Sequence, residues 1–100
     1  MSVWILSPSS NSTKKWTVTN TVTGKTVHFG AAGYEDYTMH HSFQRYENYI
    51  SRHRSRENWT KSGVNTAGFW SRWLLWNKPS LTSSIKDIYS RFKIRVVRAK

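Results

Sequence analysis

The segment KKWTVTNTVTGKTVHFG, residues 14–30, decides the fold, because apolar and polar side chains alternate in each of its halves. Trp16 and Val18 alternate with threonines in the first half, and Val27 and Phe29 alternate with polar residues in the second. Successive side chains of a strand point to opposite faces, so all four apolar residues share one face. The intervening TVTG supplies a turn. We therefore predict a β-hairpin with one apolar face.

Two further segments have the composition of strands. VWIL, residues 3–6, is short and apolar, and it indicates an edge strand. KIRVVRAK, residues 93–100, contains β-branched residues and is expected to pair either with the hairpin or with VWIL. Between the hairpin and the first helical pattern, GAAGYEDYTMHH, residues 30–41, has no period and predicts an ordered loop.

Three segments have helical patterns. Residues 42–59 follow Ser42, a favourable N-cap, and carry one apolar stripe formed by Phe43, Tyr46, Ile50 and His53. Residues 67–77 are apolar almost all round and are followed by Pro79, which ends a helix. Residues 80–92 carry a third stripe, formed by Ile85, Ile88, Tyr89 and Phe92.

These elements predict an α+β fold in a single domain of residues 1–100. The predicted architecture is a small antiparallel sheet, made of the N-terminal hairpin and the terminal strands, packed with about three short helices. A chain of 100 residues is the usual size of one domain.

The segment TAGFWSRWLLWNKPSL, residues 66–81, holds three of the six tryptophans, and two interpretations stay open for it. The first is a core helix, in which Phe69, Trp73 and Leu74 pack against the apolar face of the hairpin. The second is a recognition surface that stacks on bases or fills a pocket of a partner protein. We expect the segment to be chiefly core, with Trp76, at its end, exposed enough to contact a partner.

The charge is strongly unbalanced, with 16 lysines and arginines against five acids and a net charge of +11. Such a balance predicts a polyanionic partner, which is nucleic acid, an anionic membrane surface or an acidic protein face. The membrane is the least favoured of the three, because the sequence has no long basic amphipathic helix. The apolar run at the start of the chain is too short for a signal peptide or a membrane span.

The candidate binding residues fall in two arginine-rich segments and in the tryptophan segment. Arginine predominates over lysine, which suits bidentate contacts with phosphates and carboxylates. Five cations without an acid in the last ten residues exceed what solubility requires. The predicted set is Arg52, Arg54, Arg56, Arg72, Trp76, Arg91, Lys93, Arg95, Arg98 and Lys100.

A metal or catalytic site has weak support in the sequence. His40 and His41 are adjacent in a loop and lack the spacing of a helical metal pair, although Glu35, Asp36 and His53 are not far along the chain. We expect Asp36 or Glu35 to pair with a nearby arginine and His53 to be a partly buried packing residue. The chain has no cysteine, no nucleophile-elbow serine and no P-loop lysine, so we predict no enzyme, no metal and no cofactor.

Several stretches taken together resemble one protein family: FGAAGYEDYTMHH, YISRH, ENW, TAGFWSRWLLWNKPSL and SIKDI. They are similar to short basic uncharacterised proteins encoded by large double-stranded DNA viruses of algae and protists. The resemblance extends over residues 29–92, and the first 28 residues carry no signal of that family. It implies a viral protein, made in the interior of the host cell and packaged in the virion, and it brings no catalytic residues.

Two functions follow from this reading. The first is a minor capsid component that cements neighbouring viral structural proteins with acidic surfaces, through its aromatic and arginine-rich surfaces. The alternative is a nucleic-acid-binding protein that coats or condenses the viral genome without reading its sequence. The aromatic residues distinguish the two, because a cementing protein needs exposed tryptophans and tyrosines, whereas a genome-coating protein needs chiefly cations.

Overall fold

The computed structural model describes residues 3–99 and has an α+β fold, as predicted. Four strands form one mixed sheet in the order β3-β2-β1-β4. Four short α-helices, a 3₁₀ turn and a π-helical turn accompany it. The elements in chain order are β1 Val3–Pro8, β2 Lys14–Asn20, β3 Thr26–Ala31, α1 Tyr37–His40, α2 Phe43–His53, the 3₁₀ turn Lys61–Gly63, α3 Ala67–Trp70, the π turn Ser71–Leu75, α4 Leu81–Phe92 and β4 Arg95–Arg98.

The predicted hairpin is confirmed as the antiparallel pair β2–β3, in which Trp16 lies opposite Phe29 and Val18 opposite Val27. The turn that joins them contains Gly24 at a φ of 76°, in the left-handed region that favours glycine.

The first strand occupies an inner position of the sheet, so the prediction of an edge strand at VWIL was wrong. β1 pairs antiparallel with β2 on one side and parallel with β4 on the other. The C-terminal strand therefore pairs with VWIL, one of the two predicted alternatives. The pairing is parallel because α4 carries the chain back along the sheet before β4 begins. This makes the sheet mixed rather than wholly antiparallel.

The helices differ from the prediction mainly in their bounds and inner faces. The loop predicted for residues 30–41 contains the short helix α1, whose N-cap Asp36 accepts a hydrogen bond from the Thr38 backbone N–H at 3.0 Å. Helix α2 begins after Ser42, which caps it as predicted, but it ends at His53 rather than at residue 59.

The prediction that the apolar stripe of α2 forms its buried face was wrong. Tyr49, not the stripe, is the buried residue of this helix, and Phe43 is 62% exposed. Similarly, Ile88 of α4 is buried as predicted, but Tyr89 of the same stripe is 40% exposed. Phe43 and Tyr89 fit the helical spacing of the predicted stripes but lie at the border of the buried face. Spacing alone does not distinguish a border position from a buried one, and this explains both errors.

The tryptophan segment is chiefly core, as expected. Phe69, Trp70, Trp73 and Leu74 are buried in one cluster with the apolar face of the hairpin. The π turn explains how so many consecutive large residues are buried: the Trp76 N–H donates to the Ser71 carbonyl at 3.1 Å, five residues back. The added residue widens the turn, and the cluster is completed by β1, β4 and α4 through Trp4, Leu6, Ile88, Ile94 and Val96.

Candidate functional site

The first arginine-rich segment forms an exposed turn at the end of α2. Arg52, Arg54 and Arg56 are all exposed, and the Arg56 Nε donates to the Arg52 carbonyl at 3.2 Å. This bond satisfies one of the carbonyl groups that a helix leaves free at its C-terminus. Within residues 3–99, none of these three guanidinium groups lies within 4 Å of a carboxylate. All three remain available to an external anion.

The second arginine-rich segment is an ordered strand with outward side chains. Arg95 and Arg98 of β4 are exposed, while Val96 between them is buried. The Ala99 N–H donates to the Leu6 carbonyl at 2.8 Å, which extends the strand's pairing with β1. Arg95 and Arg98 of the predicted tail are thus presented by the edge of the sheet, whereas Lys100 lies outside the described residues.

Two cations of the predicted tail lie before this strand and have neighbours within the protein. The Arg91 Nε donates to the Asp87 carboxylate at 3.0 Å, and its guanidinium lies 4.6 Å from the centre of the Trp73 ring. Lys93 ends α4 in the left-handed conformation, with its ammonium 5.5 Å from the ring of Tyr89.

The Asp87 carboxylate is held by hydrogen bonds inside this region. Partial burial acts to raise the pKa of Asp87, but hydrogen bonds from Asn77 and Arg91 outweigh it and hold that pKa below its usual value. Arg91 is consequently held by the fold more firmly than Arg95 or Arg98.

Arg72 lies inside an aromatic cluster rather than on the surface with the other arginines. Its guanidinium is 4.3 Å from the centre of the Trp73 ring and also lies near the rings of Trp59 and Tyr46. Its Nη1 donates to the Trp76 carbonyl at 2.7 Å. Burial lowers the pKa of this guanidinium. Through these contacts Arg72 joins α2 to the π turn. It is therefore less available to an external phosphate than Arg54.

Trp76 is half-buried and closes an aromatic stack. Its ring lies 4.4 Å from that of Tyr49 with the planes 4° apart, and 5.3 Å from that of His40. The Tyr49 ring also stacks on that of His53, with the ring centres 4.3 Å apart. We expected Trp76 to contact a partner, but much of its side-chain surface is buried in this internal stack.

A groove of about 660 Å³ runs between the edge of the hairpin and α2. Lys14 and Lys15 line it from β2, Arg45 and Arg52 line it from α2, and Trp76 also contributes to its lining. Its volume is in the range of binding sites for small ligands. The structure thus brings Arg52 and Trp76 of the predicted set to one groove, and places Arg95 and Arg98 elsewhere, on β4.

Two glycines shape the wall of this groove. A Cβ at Gly30 would lie 2.8 Å from the Leu75 side chain, and a Cβ at Gly68 would lie 2.8 Å from the Glu57 carboxyl carbon. Gly30 also has a φ of 79°, which disfavours any other residue. A side chain at either glycine would therefore displace Leu75 or Glu57.

The three acids of the groove are already paired. The Lys15 ammonium lies 2.7 Å from Asp36, and the Arg45 guanidinium lies 3.1 Å from Glu35. In the third pair, the Nδ1 of the His53 ring lies 3.1 Å from the Glu57 carboxylate. The predicted pairing of an acid with an arginine holds for Glu35, whereas Asp36 pairs with a lysine.

The histidines have structural contacts. His53 stacks on Tyr49, as expected for a packing residue, and His40 accepts a hydrogen bond from the Ser42 N–H at 2.9 Å. In residues 3–99, no three histidine, aspartate or glutamate side chains are grouped so that they could hold a metal ion.

Sequence reasoning missed Lys14, Tyr34 and Tyr49 as groove residues. The groove is assembled from the hairpin, α2 and the π turn, which are far apart in the sequence, so no local spacing connects them. The signal in the sequence is the group of five aromatic residues between positions 34 and 49, of which the predicted stripe includes only Phe43 and Tyr46.

Within the described chain, no helix has the length and apolar character required to cross a membrane.

A family model described as a family of unknown function (DUF5754) matches residues 4–53, half of the chain, and the chain belongs to that family. The match includes the hairpin, where no family signal was expected, and it ends before the tryptophan segment. No curated protein and no solved structure matches the chain.

Proposed function

We propose that this member of a family of unknown function is a non-enzymatic protein that binds nucleic acid without reading its sequence. Its phosphate contacts would come from the turn bearing Arg52, Arg54 and Arg56 and from Arg95 and Arg98 on β4. One observation carries the proposal: these arginines are exposed and free of carboxylates within the described residues, whereas all six tryptophans are buried or half-buried. The arginines, rather than the tryptophans, are left for a partner.

The distribution of acids supports the same conclusion. All five lie between residues 35 and 87. Glu35, Asp36 and Asp87 form ion pairs with lysine or arginine, and Glu57 lies against His53. No strand of the sheet contains an acid. The remaining positive charge is therefore uncompensated, and it attracts a polyanion over a distance set by the salt concentration.

The experiment compares two triple variants of equal charge on duplex DNA of mixed sequence. One variant replaces Arg52, Arg54 and Arg56 by serine, and the control replaces the exposed residues Lys25, Lys61 and Lys86 by serine. At about 150 mM salt, we expect the arginine variant to lose at least tenfold more affinity than the lysine variant, because bidentate phosphate contacts are lost along with charge. Equal losses would show that net charge alone causes binding and would refute an arginine interface.

A second candidate function is a cementing component of a virion, synthesised in the interior of a host cell and bound to viral structural proteins with acidic surfaces. Its support is a set of exposed apolar side chains in α1 and in the residues next to it: Tyr34, Met39 and Phe43 are 72%, 56% and 62% exposed. Such residues are enriched where proteins contact one another. The viral setting rests on the sequence resemblance alone. Phe43→Ser and Met39→Ser should weaken capsid association without changing DNA affinity if this candidate is correct.

A further inference from the structure

We propose that the groove between the hairpin and α2 holds one nucleotide of a single-stranded nucleic acid, with Lys14 and Arg52 contacting its phosphate and Tyr34 contacting its base. This inference rests on the proposed function and adds a site and a preferred form of nucleic acid to it. Three features of the groove support it.

The first feature is the charge that remains after the internal pairs are counted. Asp36 and Glu35 are each paired with a cation of the groove, and the Glu57 carboxylate lies 3.1 Å from the His53 Nδ1. Lys14 and Arg52 also line the groove, and in the described part of the chain neither lies within 4 Å of a carboxylate. An anionic group entering the groove finds two cations free to contact it, and the nearby carboxylates already have partners.

The second feature is a single accessible aromatic face. Tyr49 is buried and stacks on both His53 and Trp76, so its ring is not accessible to a ligand. Tyr34 is different, because it lines the same groove and is 72% exposed. Stacking of a base on an exposed aromatic ring beside a basic groove is the usual mode of binding to single strands.

The third feature is shape, which separates a single strand from a duplex. The groove has a volume of about 660 Å³ and is bounded by the glycine wall at Gly30 and Gly68. In a duplex, each base is covered on both faces by its neighbours and its edge is paired. Only an unpaired nucleotide can present a base to Tyr34 while its phosphate reaches into the groove.

The test measures the affinity of the full chain for a labelled oligothymidylate and for a duplex of equal length, at about 100 mM salt. Tyr34→Ser is expected to lower the single-strand affinity about tenfold and to leave the duplex affinity within about twofold, because one base stack is lost. Tyr34→Phe keeps the ring and should keep the affinity. Lys14→Ser should lower the ratio of single-strand to duplex affinity, whereas Lys25→Ser, which removes a cation outside the groove, should leave that ratio unchanged.

The outcomes distinguish failure of this inference from failure of the proposed function. If the wild-type chain binds neither nucleic acid, both are overturned. If it binds both, and Tyr34→Ser and Lys14→Ser change the two affinities equally, the nucleic-acid function stands and the groove site is refuted. If polyglutamate binds the wild-type chain more tightly than the oligothymidylate does, and Lys14→Ser weakens only the polyglutamate complex, the groove is a site for acidic peptides and the inference is again overturned.

Discussion

At the scale of single residues, the fold separates arginines that stabilise it from arginines that are free to bind. Arg72 is enclosed by Trp73, Trp59 and Tyr46 and bonded to the Trp76 carbonyl. Arg54 has none of these contacts. The sequence shows both as arginines in an otherwise uncharged or basic neighbourhood, and only the packing of α2 against the π turn distinguishes them.

The two tryptophans at the end of the tryptophan segment should differ in their effect on stability. Trp73 is buried, and its indole N–H donates to the Trp59 carbonyl at 2.9 Å, so Trp73→Ala should cost about 3–5 kcal/mol of unfolding free energy. Trp76 is half-buried and loses chiefly its stack on Tyr49, so Trp76→Ala should cost about 1–2 kcal/mol. Urea unfolding of the two variants measures this, and equal costs would show that Trp76 is as central to the core as Trp73.

Asp87 should make stability depend on acid pH. Its pKa in the folded protein is lowered, since hydrogen bonds from Asn77 and Arg91 outweigh the opposing effect of burial. A carboxylate with a lowered folded-state pKa contributes stability that is fully present above its unfolded pKa, about 3.9, and is lost as the pH falls through the folded value.

The matching experiment is thermal unfolding of the wild-type chain and of Asp87→Asn between pH 7 and pH 2. The wild-type chain should be more stable at pH 7, and the difference should shrink below about pH 4. A difference that is constant over this range would show that the charge of Asp87 contributes nothing.

At the scale of elements, β4 combines one buried side chain with two exposed arginines. Val96 is buried and the backbone pairs with β1, whereas Arg95 and Arg98 are exposed. Replacing Arg95, Arg98 and Lys100 by serine should lower duplex DNA affinity at least tenfold and change the melting temperature by less than about 2 °C, since surface substitutions seldom alter stability much. Val96→Ala should do the reverse, lowering the melting temperature and sparing the affinity. If the serine variant melts several degrees earlier and keeps its affinity, these arginines belong to the fold and not to an interface.

At the scale of the whole molecule, the sequence predicted what depends on local pattern and missed what depends on long-range contact. The hairpin, the cap at Ser42, helix α4 and the burial of Phe69, Trp73 and Leu74 all follow from alternation, helical period or capping chemistry. The inner position of β1 does not, because it depends on a parallel partner some ninety residues away. The groove was missed for the same reason, since its walls come from three separate segments.

The central claim, that free arginines bind the phosphates of nucleic acid, is tested most directly by the salt dependence of duplex DNA affinity. A chain with a net charge of +11 is expected to bind DNA at about 50 mM salt whatever its biology, so that condition is uninformative. With five arginines on phosphates, measurable binding should persist at about 150–200 mM salt, and log affinity should fall against log salt with a slope of about −4 to −5. Complete loss of binding by about 150 mM, or a slope near −1, would contradict the claim and favour the role in cementing proteins.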